Sequence, residues 1–439
     1  GASRLVLKAA EGLLGALEHT HSILQAQASA GTSVRVHEER ANQIMDAIRE
    51  LMQLLYSLRC THARRWPAAL TLPSAVYIRA ITLCRDELML WLDRYGLRGA
   101  TGAMLRDEQL ALRDGRRDGA LDTLGWLLKL AEADGSVDIR QAYSEAVLPF
   151  LSSVLSSGLD PKTCSPVLMA PILGLLDAVI YVPECRLSIC ETLFPCLLQM
   201  WNAGDGMLSV SCVYGLGVCM QYGNPAVEFV GATAQLLVSV LGLDPSSPPP
   251  ELRLEDEDQE GQLQDNAVAT LLRLSVCQAA LLGPEMALQM LRVGLGALPL
   301  QNDKMEGQEL HAWLLRMLEA QDVRVLGKKW EILPDLFRAV AAIQSHVGST
   351  YKKRGGKTKG KDSNESNSTS TMEGRTLIAQ DEYWVEQIIT KDTFDKGCMA
   401  VKTMAAGTGL PEAIKSELNM HLASSFNKKQ QKSLLSKGY

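Results

Sequence analysis

Apolar residues recur along most of the chain at steps of three or one. Between Ala41 and Leu58 the apolar positions are Ala41, Ile44, Met45, Ile48, Leu51, Met52, Leu55 and Leu58. Tyr143, Ala146, Val147, Phe150, Leu151, Val154 and Leu155 repeat the pattern, as do Leu310, Trp313, Leu314, Met317 and Leu318. Such spacing puts one apolar stripe along each of a series of helices. Strict alternation over a strand length is hard to find, and no turn dipeptide joins two alternating runs. The pattern predicts an all-α chain whose helices run roughly 12 to 20 residues. They are separated by breaks such as Gly158–Pro161, Gly204–Gly206 and Gly223–Pro225. Short connections turn neighbouring helices antiparallel.

A repeat lies inside these pairs. Val147–Leu151, Leu193–Leu197 and Ile332–Leu336 share the order apolar, apolar, Pro, any, apolar. Pro149 and Pro195 are 46 positions apart, and Pro195 and Pro334 are 139 apart, close to three such spacings. Pro costs little in the first turn of a helix, where its missing N–H would have no partner, so the recurrence predicts equivalent helix starts. Two helices every forty-odd residues predict an α-α superhelix, a HEAT/armadillo-like solenoid. The array is expected over 1–347, with an acidic loop at 244–264 inserted between repeats. A disordered insert rich in Lys and Ser is expected over 348–374, and a C-terminal helical capping region over 375–439.

Composition narrows the function. With 46% hydrophobic residues among 439, the bulk of the chain has enough apolar surface to fold. The formal charge of -6 conceals two opposed blocks. Glu251–Asp265 holds seven acids and Arg253, whereas Tyr351–Lys361 holds six bases and no acid. The rest is near neutral, so no global basic field for nucleic acid exists and electrostatic recognition must be local. Glu255, Asp256, Glu257 and Asp258 are the candidate site for a basic partner. The basic block is a solvated loop tip or a phosphate-binding or nuclear-localisation signal. Ten scattered cysteines with no C-x-x-C pair fit buried reduced thiols in an intracellular protein. The longest uncharged stretch, Gly206–Val227, is broken near its end by Gln221, Gly223, Asn224 and Pro225, so no membrane insertion is expected.

Catalytic signatures fail. His37-Glu38 lacks the second His of a zincin helix, the position being Ala41. Gly356-Lys357-Thr358 has Tyr351 where a phosphate loop requires Gly, and Gly215-Leu216-Gly217 has Met220 where a third Gly would stand. His19 and His21 are two apart, so they do not share a helix face and are expected to be solvent-exposed. Asp265, Asn266 and Asp303 are expected to be helix caps. No enzyme, catalytic residue, metal or cofactor is expected.

Tyr214–Gly223 resembles a repeat helix of the importin-β (karyopherin-β) superfamily, in its importin-5-like and importin-4-like branch. Asp265–Val268 opens a helix as in that branch, Leu298–Glu306 is similar to its turn between repeats, and Val325–Gly327 with Leu333-Pro334 continues in register. The resemblance spans roughly Ser136 to Ser345 and corresponds to C-terminal repeats; the lysine-rich insert and the tail after Arg375 depart from it. It implies a nuclear transport receptor that carries basic cargo, for example ribosomal proteins or histones, between cytoplasm and nucleus. It further implies weak contacts with Phe-Gly nucleoporins and release by Ran GTPase, whose main site belongs to N-terminal repeats without a counterpart here. The alternative is a HEAT-repeat scaffold that organises a complex without transport.

Overall fold

A computed structural model describes residues 2–30, 35–61, 72–94, 107–157, 161–202, 206–244, 257–327, 331–340 and 342–343, with Ser416 and Met420. The expected insert at 348–374 and nearly all of the expected cap at 375–439 lie outside the described residues. Among those described there is no strand, and the all-α, HEAT/armadillo-like class is what the helices build. They fall into two compact units, Gly1–Ser211 with Tyr222–Asn224, and Cys212–Gln221 with Pro225–Tyr439.

The first unit contains α1 (Ala2–Ala30), α2 (Arg35–Thr61), α3 (Ser74–Arg94), α4 (Asp107–Asp134), α5 (Val137–Ala146), α6 (Leu148–Leu155), α7 (Pro161–Tyr181) and α8 (Arg186–Trp201). Helix α1 packs on α2 and α3, α2 on α4, α3 on α4 and α5, α4 on α7, and α7 on α8. The contacts are thus among helices near one another in the chain, the packing of a helical repeat. The predicted stripe of α2 is the buried one: Ala41, Ile44, Met45, Ile48, Met52 and Leu55 are in the core, while Leu51 and Leu58 are half-buried.

Helices α1, α2 and α4 are longer than predicted, 27 to 29 residues. In α4 two of the glycines are contact points and not breaks. A Cβ on Gly119 would lie 2.9 Å from the Met45 side chain, and one on Gly125 would lie 2.9 Å from Asp177. The recurring prolines are also not equivalent. Pro149 occupies the first turn of α6, and Pro334 is the second residue of a helix over 333–340. Pro195 lies inside α8, with its ring exposed. There it removes one backbone hydrogen bond, that to the carbonyl of Glu191, which also lies on the solvent side.

The second unit contains residues 212–221 of α9 (Gly206–Tyr222), then α10 (Val227–Val240), α11 (Glu257–Cys277), α12 (Ala279–Leu282), α13 (Pro284–Gly296), α14 (Lys304–Glu319) and α15 (Val323–Leu326). Helix α11 touches α10, α12, α13, α14 and α15. Enclosed on so many sides, it buries polar residues with its apolar ones: Asp265, Asn266, Thr270, Arg273 and Ser275 are buried beside Val268, Leu272 and Val276. Each of these polar groups needs a partner inside the protein.

Candidate functional site

Along α10 the residues Val227, Val230, Gly231, Ala234 and Val238 fall one, three or four apart and form one stripe. Leu281, Leu282, Met286 and Met290 of α12 and α13 face it, with Asp244 and Gln235 at the edge. The space between is an open apolar groove of about 580 Å³. Small residues make it: nothing lies within 4 Å of a Cβ built on Gly231. Gly283, at φ +83, provides the backbone conformation that enters α13 directly after α12, with Pro284 at its first position. Val227 is 61% exposed, Met286 49% and Leu281 41%, so a contiguous apolar surface is open to solvent. Surfaces of this kind mark binding sites.

The acidic candidates divide. Glu255 and Asp256 lie outside the described residues. Glu257 and Asp258 are not in a loop: with Glu260 they are the exposed first turn of α11, which begins eight residues before Asp265. Acidic side chains favour a helix N-terminus, and Gln259 and Leu263, four apart, already turn into the core.

Asp265 and Asn266 are therefore interior to α11, and they cap a different helix. Asp265 Oδ2 accepts the backbone N–H of Gln301 at 2.9 Å, Asn302 at 2.5 Å and Asp303 at 2.8 Å, fixing the turn before α14. Asn266 Nδ2 donates to Asp303 Oδ2 at 3.0 Å. Asp303 is the N-cap of α14, as expected, and accepts the Glu306 N–H at 2.9 Å.

In a capping box the side chain three residues into the helix accepts the N–H of the cap residue. Asp265 takes that role here, and Glu306 turns inward to Arg273, with 2.6 Å between Nη1 and Oε1. Both side chains are buried. Arg273 Nε donates to Gln221 Oε1 at 2.8 Å. Burial pushes the Glu306 carboxyl up to about 7, against the pull of Arg273 and with the push of Glu309 and Asp303.

In the first unit Glu87 of α3 accepts hydrogen bonds from His21 Nε2 and from Arg116 Nη2, and all three side chains are buried. Burial alone would raise the Glu87 carboxyl, but the His21 hydrogen bond and the Arg116 charge outweigh it and hold the group below the ordinary carboxylate range. The expectation for His21 is thereby corrected: it lies inside the protein because it continues the Leu14, Leu17, Leu24 stripe of α1. His19, off that stripe, is exposed. Gly215 and Gly217 lie in α9, where a Cβ on Gly217 would come within 2.4 Å of Thr270 Oγ1.

Among the described residues no group of three or more His, Cys, Asp or Glu is placed to hold a metal ion. None of the described helices is long and apolar enough to cross a membrane. No protein-family model matches the chain, and no curated protein is detectably similar to it.

Proposed function

We propose that this chain is a helical-repeat portion of a nuclear transport receptor of the importin-β class, and that the groove between α10 and α12–α13 receives a Phe side chain of a Phe-Gly repeat. The groove carries this reading: it is open and apolar, lined by buried Val230 and Met290, widened by Gly231 and Ala234, and rimmed by exposed Val227, Leu281 and Met286. A ring that enters it leaves water for aliphatic and thioether contacts, while the glycine beside the ring lets the peptide backbone lie close to the helices. One such site binds weakly, as rapid passage through a pore requires, and several act together by avidity.

The segments that resemble the family support it too. Tyr214–Tyr222 lies in α9, Asp265–Val268 in α11, Leu298–Glu306 at the entry to α14, and Val325-Leu326 ends α15 at Gly327. For basic cargo the first unit offers Asp46 on α2 with Asp118 and Asp122 on α4, all with side chains more than half exposed. Partial loss of the water around it raises the Asp122 carboxyl, and Asp118 and Asp46 add to that push against the pull of Arg49 and Lys129. A Lys or Arg from a partner would relieve that crowding. Ran-dependent release and movement between cytoplasm and nucleus belong to the same proposal.

Titration of the chain with a Phe-Gly repeat peptide and a Ser-Gly control tests it. Saturable binding of the first alone supports a transport receptor. Binding of neither favours the scaffold alternative.

A further inference from the structure

Glu306 stands apart from the acids around it. Asp265 is saturated by three backbone N–H groups, and Asp303 by the Glu306 N–H and the Asn266 amide. Both Glu306 carboxyl oxygens are inaccessible to solvent and lack a hydrogen bond of normal geometry, although Arg273 Nη1 is 2.6 Å from Oε1. Because Asp265 has taken over the cap N–H, no backbone donor of the α14 entry turns toward Glu306. An ionised carboxylate so placed has lost its water and gained one poorly directed cation.

We propose that Glu306 is a proton-binding joint between α11 and α14, which tightens their contact when the carboxylate takes up one proton from solvent. In the neutral form Glu306 sheds its uncompensated desolvation. Arg273 keeps the Gln221 amide oxygen at 2.8 Å and the electrostatic support of Glu309. The other charged groups on the packed elements leave the proton to Glu306. On α14 and its cap these are Glu309 and Asp303, both of which oppose a second negative charge. On α11 they are Arg273 and Asp265, the latter held by the turn before α14. On α15 Arg324 is paired with Asp322.

The carboxyl sits at about 7 in the folded protein against an ordinary 4.5, so opening of this contact releases the proton between those values. Opening therefore becomes rarer as pH falls from about 8 to about 6.

Hydrogen–deuterium exchange of the whole chain, with intrinsic rates corrected for pH, reads this directly. Peptides covering 301–319 are expected to exchange several-fold more slowly at about pH 6 than at about pH 8. Glu306→Gln is expected to remove that dependence. If this variant fails to fold, Glu306→Leu combined with Arg273→Met, which replaces the pair with apolar groups of similar size, serves the same comparison. Equal corrected exchange at the two pH values in the wild-type chain, or an undiminished dependence in a folded variant, overturns the proposal.

Discussion

Asp265, buried in the middle of α11, accepts the backbone N–H of Asp303, the N-cap of α14, at 2.8 Å. One helix thus supplies from its interior the acceptor for the cap residue's N–H that Glu306, turned toward Arg273, does not. Asp265→Ala would leave the N–H groups of Gln301, Asn302 and Asp303 without this acceptor, and should cost about 3 kcal/mol. Asp265→Asn, which keeps one carbonyl oxygen, should cost less. Urea denaturation measures both, and a loss under about 0.5 kcal/mol for the Ala variant contradicts the capping role.

Leu197 of α8 is fully buried between Leu193 and Met200 on one face of the helix. Leu197→Asp should destabilise the first unit by about 4 kcal/mol, because it buries a charge with no partner in place. An unchanged thermal midpoint would refute the packing described for that helix.

Acid sensitivity in the first unit is expected from Glu87. Its folded carboxyl is held below the ordinary value of 4.5, so the stability it contributes is present above that value and is lost as pH falls through the folded one. Glu306 contributes in the opposite sense: its stabilisation is full below 4.5 and is lost as pH rises through about 7. Thermal melts across pH should show Glu87→Gln flattening only the acid limb and Glu306→Gln only the neutral one. At neutral pH Glu87→Gln should also destabilise by roughly 3–5 kcal/mol, since Arg116 stays buried without its counter-charge.

Glu257 and Asp258 sit in the first turn of α11, with exposed side chains. Glu257→Gln with Asp258→Asn should cost about 1 kcal/mol, through the helix dipole, and should weaken binding of a lysine-rich peptide with a shallower dependence on salt. Peptide affinity that ignores the double substitution removes these two residues from the basic-partner site.

The helices were legible in the sequence because apolar spacing is a local property. The α2 stripe from Ala41 to Leu55 and the α14 stripe from Leu310 to Leu318 are buried as their spacing requires. His21 was legible as well: it is four positions after Leu17 and three before Leu24, on the core face, and the two-residue separation from His19 drew attention away from that stripe. Arg273 stands in Leu271-Leu272-Arg273-Leu274, a charge inside an apolar run, which signals a buried partner without naming it. The partner, Glu306, is distant in the chain, as Arg116 and His21 are from Glu87, and pairings of that kind depend on helix stacking. The start of α11 was misplaced because acids at a helix N-terminus look, in composition alone, like a repelling loop. The groove was hidden for a related reason: Gly231 reads as a weak point in a helix, and only the open space beside it shows that it lines a groove.

The groove is also where the functional account stands or falls. Gly231→Leu adds a side chain into open space on a helix that favours Leu over Gly, so the fold should remain intact while the groove fills. Calorimetric titration of the wild-type chain and this variant with a Phe-Gly repeat peptide is the most direct test. The account predicts saturable binding to the wild type that is lost in a fully folded Gly231→Leu; no binding to the wild type, or equal binding to both, would contradict it.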